Sequence, residues 1–415
     1  MSNIPQDKAL DSTLWLILDG YNFIANRCRR YRTDIFETRL LFRKTICLTG
    51  DDAALVFYDT RRFQRRGAAP HRVKETLFGK EGVQGLDDEA HLNRKKMFMS
   101  LMTPQAIRQM TELMAVHWNE ALGKWEATDR VVLLPEVQEI LCRSVFRWAG
   151  VPLAQDDVAA RTRDLAETID SAGALGPRHW KGRMARNRSE KWAGSIIEDV
   201  RAQRLTPPDG SAARVISGYR DQDGRHLDRH TAAVELLNVL RPTVAVSRFV
   251  VFTALALYEH PECLPRLQAG DEEYIGFFVH EVRRFYPFFP FVAARVRSSF
   301  DWKGYSFPGG RRVILDLYGT DHDERLWKRP DEFRPERFLR WSGSAFNFIP
   351  QGGGNHFRNH RCPGERLTIE LMKTALRLLT TAMRYDIPEQ DLRISLRRMP
   401  ANPKSGFVIS NVRPA

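Results

Sequence analysis

The sequence predicts a mainly α fold with small β-sheets, of the α+β class. Three observations predict it. Long stretches with helical periodicity fill the region from about residue 86 to 286. Short β-like pieces gather after them, toward the C-terminus. No internal repeat, low-complexity linker or Pro/Gly-rich break divides the 415 residues, so nothing marks a domain boundary.

Taken in order, "DDEAHLNRKKMFMSLM" (87–102) opens with acids, as helix N-termini favour, and stops before Pro104. The densest basic run, "RHWKGRMARNRSEKW" (178–192), reads as a solvated helix face with tryptophans packed beneath. An apolar helix runs from Thr231 to Glu259, and its 28 residues from Thr231 to Tyr258 span about 42 Å at 1.5 Å per residue. It carries Arg241 and Pro242 side by side in its middle, a charge and a helix breaker where neither belongs. "DEEYIGFFVHEVRRFY" (271–286) is a further helix, closed by Pro287. The β-like pieces are "FVAARVRSSF" (291–300), "YSFPGGRRVILDLYG" (305–319), "RISLRRM" (393–399) and "SGFVISNV" (405–412).

Composition narrows the class. At 43% hydrophobic and 28% charged, the chain has the make-up of a soluble globular enzyme. No uninterrupted apolar segment reaches membrane-spanning length, and "LWLIL" (14–18) is too short for an anchor or signal core, so a cytoplasmic protein is expected. The net charge of +13 comes with no nucleic-acid-binding module; it suits anionic ligands or peripheral contact with a lipid surface. Five cysteines, odd in number and without CxxC spacing, argue against a disulfide framework and for a thiolate at a site.

That site is "FIPQGGGNHFRNHRCPGERLTIELMKTALRLLTTAM" (348–383). A glycine-rich loop ends in Cys362, and a helix follows with Leu367, Leu371, Ala375, Leu378, Leu379 and Ala382 on one face. A cysteine at a helix N-terminus is favoured as thiolate, and glycines let a flat, bulky group lie against the backbone. These are the requirements of a cysteine-ligated haem iron. Two other readings stay open on these residues alone. Cys362 is an ordinary buried cysteine, or His356, His360 and Cys362 hold zinc, for which no fourth ligand is visible.

The loop ending "HRCPGE" resembles the haem-binding loop of the cytochromes P-450. Upstream, "EVRR" supplies Glu281 and Arg284 and "FRPERF" supplies Arg337, in the superfamily's order. The resemblance implies a haem between a long central helix and the cysteine-loop helix, braced by a buried network of Glu281, Arg284 and Arg337. Oxygen-activating members carry an acid followed by a threonine midway along the central helix. Here that stretch reads "LRPTVAV", with Arg241 and Pro242 instead. This is similar to the bacterial fatty-acid peroxygenase branch, as are "LFGKEGVQGLDDEAHLNRK" (77–95), "FYPFFPF" (285–291) and "PQGGGNHFRNHRC" (350–362). The likeness covers nearly the whole chain, which implies one domain over residues 1–415.

By the resemblance the cofactor is haem b with Cys362 as axial ligand, and neither flavin nor NAD(P)H is expected. The substrates are a fatty acid and hydrogen peroxide, with no dedicated reductase and no nucleic acid. Pro242 cannot donate to the carbonyl of Asn238; its kink opens a groove and turns Arg241 into a cavity. There the guanidinium binds the substrate carboxylate, which serves as general acid/base. His91, Arg94, His360 and, more weakly, Arg65 are the propionate partners. Phe78 and Phe288 line the acyl channel, and Gln84 lies over the distal haem face, as in hydroxylating members. The expected reaction is hydroxylation at the α or β carbon, with decarboxylation to terminal alkenes and a non-catalytic haem- or ligand-binding protein as alternatives. Two positions depart from the family: Asn359, where Gly is usual, expected to reshape the turn beneath the haem, and Asn93, expected to remove a propionate donor.

Overall fold

The structure is a computed structural model that describes residues 4–415. Among these, the strands are β1 (Ile35–Leu40), β2 (Arg43–Leu48), β3 (Phe63–Gln64), β4 (Arg130–Val132), β5 (Phe291–Val296), β6 (Phe300–Trp302), β7 (Tyr305–Phe307), β8 (Arg312–Asp316), β9 (Met383–Asp386) and β10 (Val408–Pro414). The main sheet has the order β1-β2-β8-β5-β3, in which β2 and β8 run parallel and the other pairs antiparallel. A second sheet, β4-β10-β9, and the β6–β7 hairpin complete the β portion. Helices make up most of the rest, and the largest apolar core lies among them.

Two helices that carry site residues start at capping aspartates. Asp271 caps Glu272–Phe285 by accepting from Tyr274 N at 3.0 Å, with Glu272 and Glu273 in the first turn and Arg283 and Arg284 in the last. Asp228 does the same for Arg229–Ala245, accepting from Thr231 N at 3.0 Å. That helix and the next, Ser247–Glu259, together are long and apolar enough to span a membrane, but 94% of the most apolar window is buried in the protein core.

Four elements differ from the expectation. The long helix keeps its turns through Pro242 and interrupts at Val246, whose N–H bonds back to Thr243 O at 3.1 Å. The segment 393–399 makes only an isolated bridge, Ile394 to Pro403, and its Leu396 carbonyl accepts from Tyr21 N at 2.9 Å. In the basic helix Pro177–Arg201, Trp192 stacks on Phe146, but Trp180 stands 59% exposed rather than packed beneath the charges. The β1–β2 hairpin was not foreseen, since its turn is Leu41-Phe42; both hold a left-handed backbone (φ 54° and 58°) where Asn-Gly would be the usual signal.

Candidate active site

The cysteine loop is built from backbone constraints. Cys362 N donates to Gln351 O at 3.1 Å, and Glu365 N returns to Cys362 O just before the helix Glu365–Arg377 begins. Gly352 and Gly354 hold φ values of 90° and 81°, and a Cβ on Gly353 would lie 2.6 Å from Ala345 O, so these positions admit no side chain. Asn359 takes over the work of a turn residue. Its Oδ1 accepts from Asn355 N at 2.7 Å and its Nδ2 donates to Tyr58 O at 3.0 Å, closing the loop and fastening it to the opposite wall. Asn93 faces away from the loop, accepting from Tyr219 OH at 2.6 Å.

Burial pushes the Cys362 thiol up, with Glu365 adding to the rise; Lys95 and the Gly364 N–H oppose it. Burial thus works against the helix end here, and a bound cation would favour the thiolate. Zinc is not that cation: among the described residues no group of three His, Cys, Asp or Glu side chains converges to hold a metal.

Beside the loop, His91 and His360 stack with ring centroids 3.8 Å apart. Burial, then the charges of Lys95 and Arg65, holds His91 down to about 4, and His360 is held well below its usual range by burial, Arg65, His91 and Lys95. Arg65 lies over the Phe57 ring at 4.4 Å and donates to Ala293 O. Lys95, one turn beyond His91, donates to the carbonyls of Asn359 and Arg361, and burial lowers it to about 8. Four basic side chains thus crowd one place where, among the described residues, no carboxylate pairs with any of them, which fits anionic groups arriving with a cofactor. The sequence pointed to His91, His360 and Arg65; Lys95 was missed, although its spacing from His91 was the available signal.

Arg94 does not belong to this set. Its Nη1 lies 2.6 Å from Glu235 and its Nη2 3.2 Å from Asp221, so two carboxylates already neutralise it. The expected propionate role of Arg94 is corrected on that ground. Glu235 is fully buried and also accepts from Val83 N and from Asn238 Nδ2. Asn238 in turn donates to Gln84 Oε1 at 3.3 Å, which ties Gln84 to the helix bearing Arg241.

Arg241 is 5% exposed, forms no ion pair with any described residue, and leaves Nη1 without a hydrogen-bond partner. Burial, then the neighbouring Arg186 guanidinium, lowers it to about 9, with Glu235 working the other way. Arg186 was not anticipated: it donates to Leu77 O at 3.1 Å, pairs with Glu190, and also keeps one nitrogen unpartnered. Phe78 is half-buried between that Leu77 contact and Gly79, where a Cβ would lie 2.6 Å from Val234. Phe288 stacks on Phe249 at 4.1 Å, and its carbonyl accepts from Tyr21 OH.

Behind the site, Glu281 is fully buried and receives Arg284 through two 2.8 Å bonds, Arg337 at 3.0 Å and the Arg334 N–H at 2.8 Å. A second buried cluster, missed in the sequence, links Arg283 to Glu365 and Gln351, and Arg361 to Glu365, bracing the cysteine loop from the other side. The donor set therefore fits a haem: a cysteine left accessible at the end of its loop, glycines that keep the loop bare, and unpaired bases for two carboxylates.

Comparisons with known proteins agree with this reading. The cytochrome P450 family model, written cytochrome P-450 below, matches residues 271–409. Cytochrome P-450 71A8 of Mentha piperita is 25% identical over 243 residues, 52% of this chain and 48% of its own, so the chain spans about half the length of that curated relative. Cytochrome P-450 26A1 of Danio rerio is 22% identical over 89% of this chain and 82% of its own. Among solved structures, a variant of cytochrome P-450SP alpha (CYP152B1) is 49% identical with a TM-score of 0.96, covering 98% of this chain and 100% of its own. Cytochrome P-450EX alpha (CYP152N1), solved with myristic acid, is 44% identical with a TM-score of 0.97 over 100% of both chains. A variant of cytochrome P-450 OleT, solved in complex with arachidonic acid, is 37% identical with a TM-score of 0.97, covering 100% of this chain and 99% of its own.

Proposed function

The chain belongs to the cytochrome P-450 family, and from that premise we propose a hydrogen-peroxide-dependent hydroxylase of long-chain fatty acids at the α or β carbon, working as one domain over residues 1–415. Haem b is its cofactor, and Cys362 is the residue to ligate the iron, with His91, His360, Arg65 and Lys95 facing the propionates. Bound there, haem supplies oxygen-atom transfer from peroxide to a C–H bond.

The observation that carries the reading is Arg241, a buried guanidinium with no carboxylate of its own. A buried charge left without a partner costs about 3–5 kcal/mol. A fatty acid supplies the missing anion, and a planar guanidinium takes a carboxylate in a bidentate grip that fixes the first carbons of the chain. Regiochemistry then follows from where the grip places Cα and Cβ.

The same carboxylate completes the proton chemistry. The acid nearest along the helix, Glu235, is occupied by Arg94, Asn238 and the Val83 N–H, and Gln84 is an amide that does not titrate. The oxygens held by Arg241 are left to take the proton of peroxide from one oxygen and return it to the other, which departs as water. Enzyme without a bound carboxylate should idle. The reading carries with it a cytoplasmic enzyme that needs no reductase.

The test is purified protein given a long-chain acid and hydrogen peroxide, with products read by mass spectrometry. Hydroxy acids formed without NAD(P)H or a reductase support the proposal. Terminal alkenes as the sole product assign decarboxylation instead. Unreacted acid from protein whose ferrous–CO band sits at the thiolate position would reduce it to a haem-binding protein.

A further inference from the structure

We propose that Arg186 is a positioning residue for the acyl chain: it clamps the backbone on both sides of Phe78 and so fixes the wall along which the chain lies. This rests on the function given above, and the closing experiment separates failure of the clamp from failure of that function.

Among the basic side chains of the run 178–192, only Arg186 is buried, at 2% exposure. Helical spacing puts it there. Gly182, Arg186, Ser189 and Ala193 recur along one face of the helix Pro177–Arg201, and all four are buried. The other three are small, which leaves room for one long side chain between this helix and the helical turn Lys74–Phe78.

The guanidinium reaches both residues that flank Phe78. Its Nη1 donates to Leu77 O at 3.1 Å. Its Nη2 has no hydrogen-bond partner and lies against Gly79, where a Cβ would be 2.2 Å from Nη2 and 2.6 Å from Val234. Gly79 is buried with φ at 81°, and its N–H closes the turn by donating to Lys74 O at 2.9 Å. Arg186 thus meets the helix Arg229–Ala245 across a position that admits no side chain. Leu77 and Gly79 are both held, and Phe78 between them stays half-buried.

A buried cation is costly unless paired, and among the described residues Arg186 pairs with Glu190 alone, at 2.6 Å. What a guanidinium adds over an apolar filler is a planar set of donors and a fixed charge. The charged groups around it are Glu190 on its own helix and Glu235 and Arg241 on the neighbouring one. Glu235 is committed to Arg94, so the Arg186 charge acts on Arg241 and joins the clamp to the acid anchor.

The test compares Arg186→Met, Arg186→Lys and Gly79→Ala with wild type, all loaded with haem. Three quantities are read: hydrogen exchange in residues 74–79, the ratio of α- to β-hydroxy acid, and the alkaline limit of fatty-acid binding. Arg186→Met loses both donor and charge. Exchange should rise about tenfold, as for one lost hydrogen bond from a charged donor. The product ratio should move about threefold or more. The alkaline limit should move up from about pH 9, because a like charge beside Arg241 has gone. Arg186→Lys keeps the charge, so the limit should stay and exchange should recover in part. Gly79→Ala keeps Arg186 but forces it apart from Val234, so the product ratio should shift while the limit stays. Unchanged exchange in Arg186→Met overturns the clamp. Loosened exchange with product ratio and limit both unchanged assigns Arg186 to stability alone and overturns the positioning role. Acid left unreacted by wild type overturns the function above instead, and the exchange result then decides the clamp.

Discussion

Glu235 gives its carboxylate to Arg94 at 2.6 Å and leaves Arg241, six residues further along the same helix, with no anion of its own. The separation keeps Arg241 available: released from Arg94, Glu235 would be the nearest candidate to neutralise it. Arg94→Leu should therefore weaken fatty-acid binding about tenfold or more, since the substrate then competes with an internal carboxylate. Arg94→Leu with Glu235→Leu should recover most of the loss. Spectral titration with a long-chain acid measures both, and an unchanged dissociation constant in the single variant would sink the argument.

Removing the anchor itself has a larger effect. Arg241→Ala takes away both carboxylate binding and the group that positions the proton carrier, so kcat/KM for fatty acid should fall about a hundredfold to a thousandfold. Arg241→Lys should recover only part, because an ammonium cannot grip a carboxylate bidentately. In wild type, acetate should let peroxide oxidise a carboxylate-free substrate by filling the place of the acid head. Retained fatty-acid turnover in the alanine variant argues against a substrate-borne acid/base.

The depressed Arg241 sets an alkaline limit. Burial and Arg186 bring the free enzyme's guanidinium to about 9 from its usual 12.5. Only the cation binds the ionised acid, so affinity should be flat from about pH 6, above the carboxylic acid's own titration, to about pH 9 and fall about tenfold per pH unit above it. Bound carboxylate opposes the depression, so the complex, once formed, should hold to higher pH than the free enzyme would suggest. Arg241→Ala should show no such limb, and a limb retained there would assign it to another group.

Much of this site was legible because its chemistry depends on local order: Cys362 after a glycine loop, Glu281 and Arg284 on one helix, Arg241 beside Pro242. What escaped depends on long-range pairing. Arg94 sits one turn from His91, so spacing put both on the haem side, but Glu235 lies 141 residues away and decides where the guanidinium points. Arg186 was absorbed into a basic run whose charges differ in burial only after folding. The main hairpin was hidden for a different reason: Leu41-Phe42 turns without the residues that make such turns easy. At Cys362 burial acts against the helix end, a balance that depends on how the fold surrounds the loop and is not visible in local order.

Glu281 tests the bracing network. It is fully buried and shared by two guanidiniums and a backbone N–H, so Glu281→Ala leaves two cations with backbone carbonyls but without their common carboxylate. The expected loss is about 3–5 kcal/mol of stability, together with poor haem retention. Glu281→Gln keeps acceptor and donor but not the charge, and should fall between the two. Denaturant unfolding followed at the haem band distinguishes them, and wild-type stability in the alanine variant would show the network to be dispensable.

The stacked histidines give a prediction with a definite pH window. In protein free of haem, burial and the charges of Lys95 and Arg65 hold His91 to about 4, against about 6.5 when unfolded. Between those values the unfolded chain binds a proton that the folded chain refuses. Stability is therefore full above about pH 6.5 and declines as pH falls toward 4, by up to about 3 kcal/mol for this group. His360, depressed well below its usual range, adds to the same slope. Propionates placed among these bases would offset their mutual repulsion, so haem-loaded protein should show a shallower decline over the same window. His91→Gln should flatten the haem-free profile in part. Equal slopes with and without haem would mean that no anion reaches the His91–His360 pair.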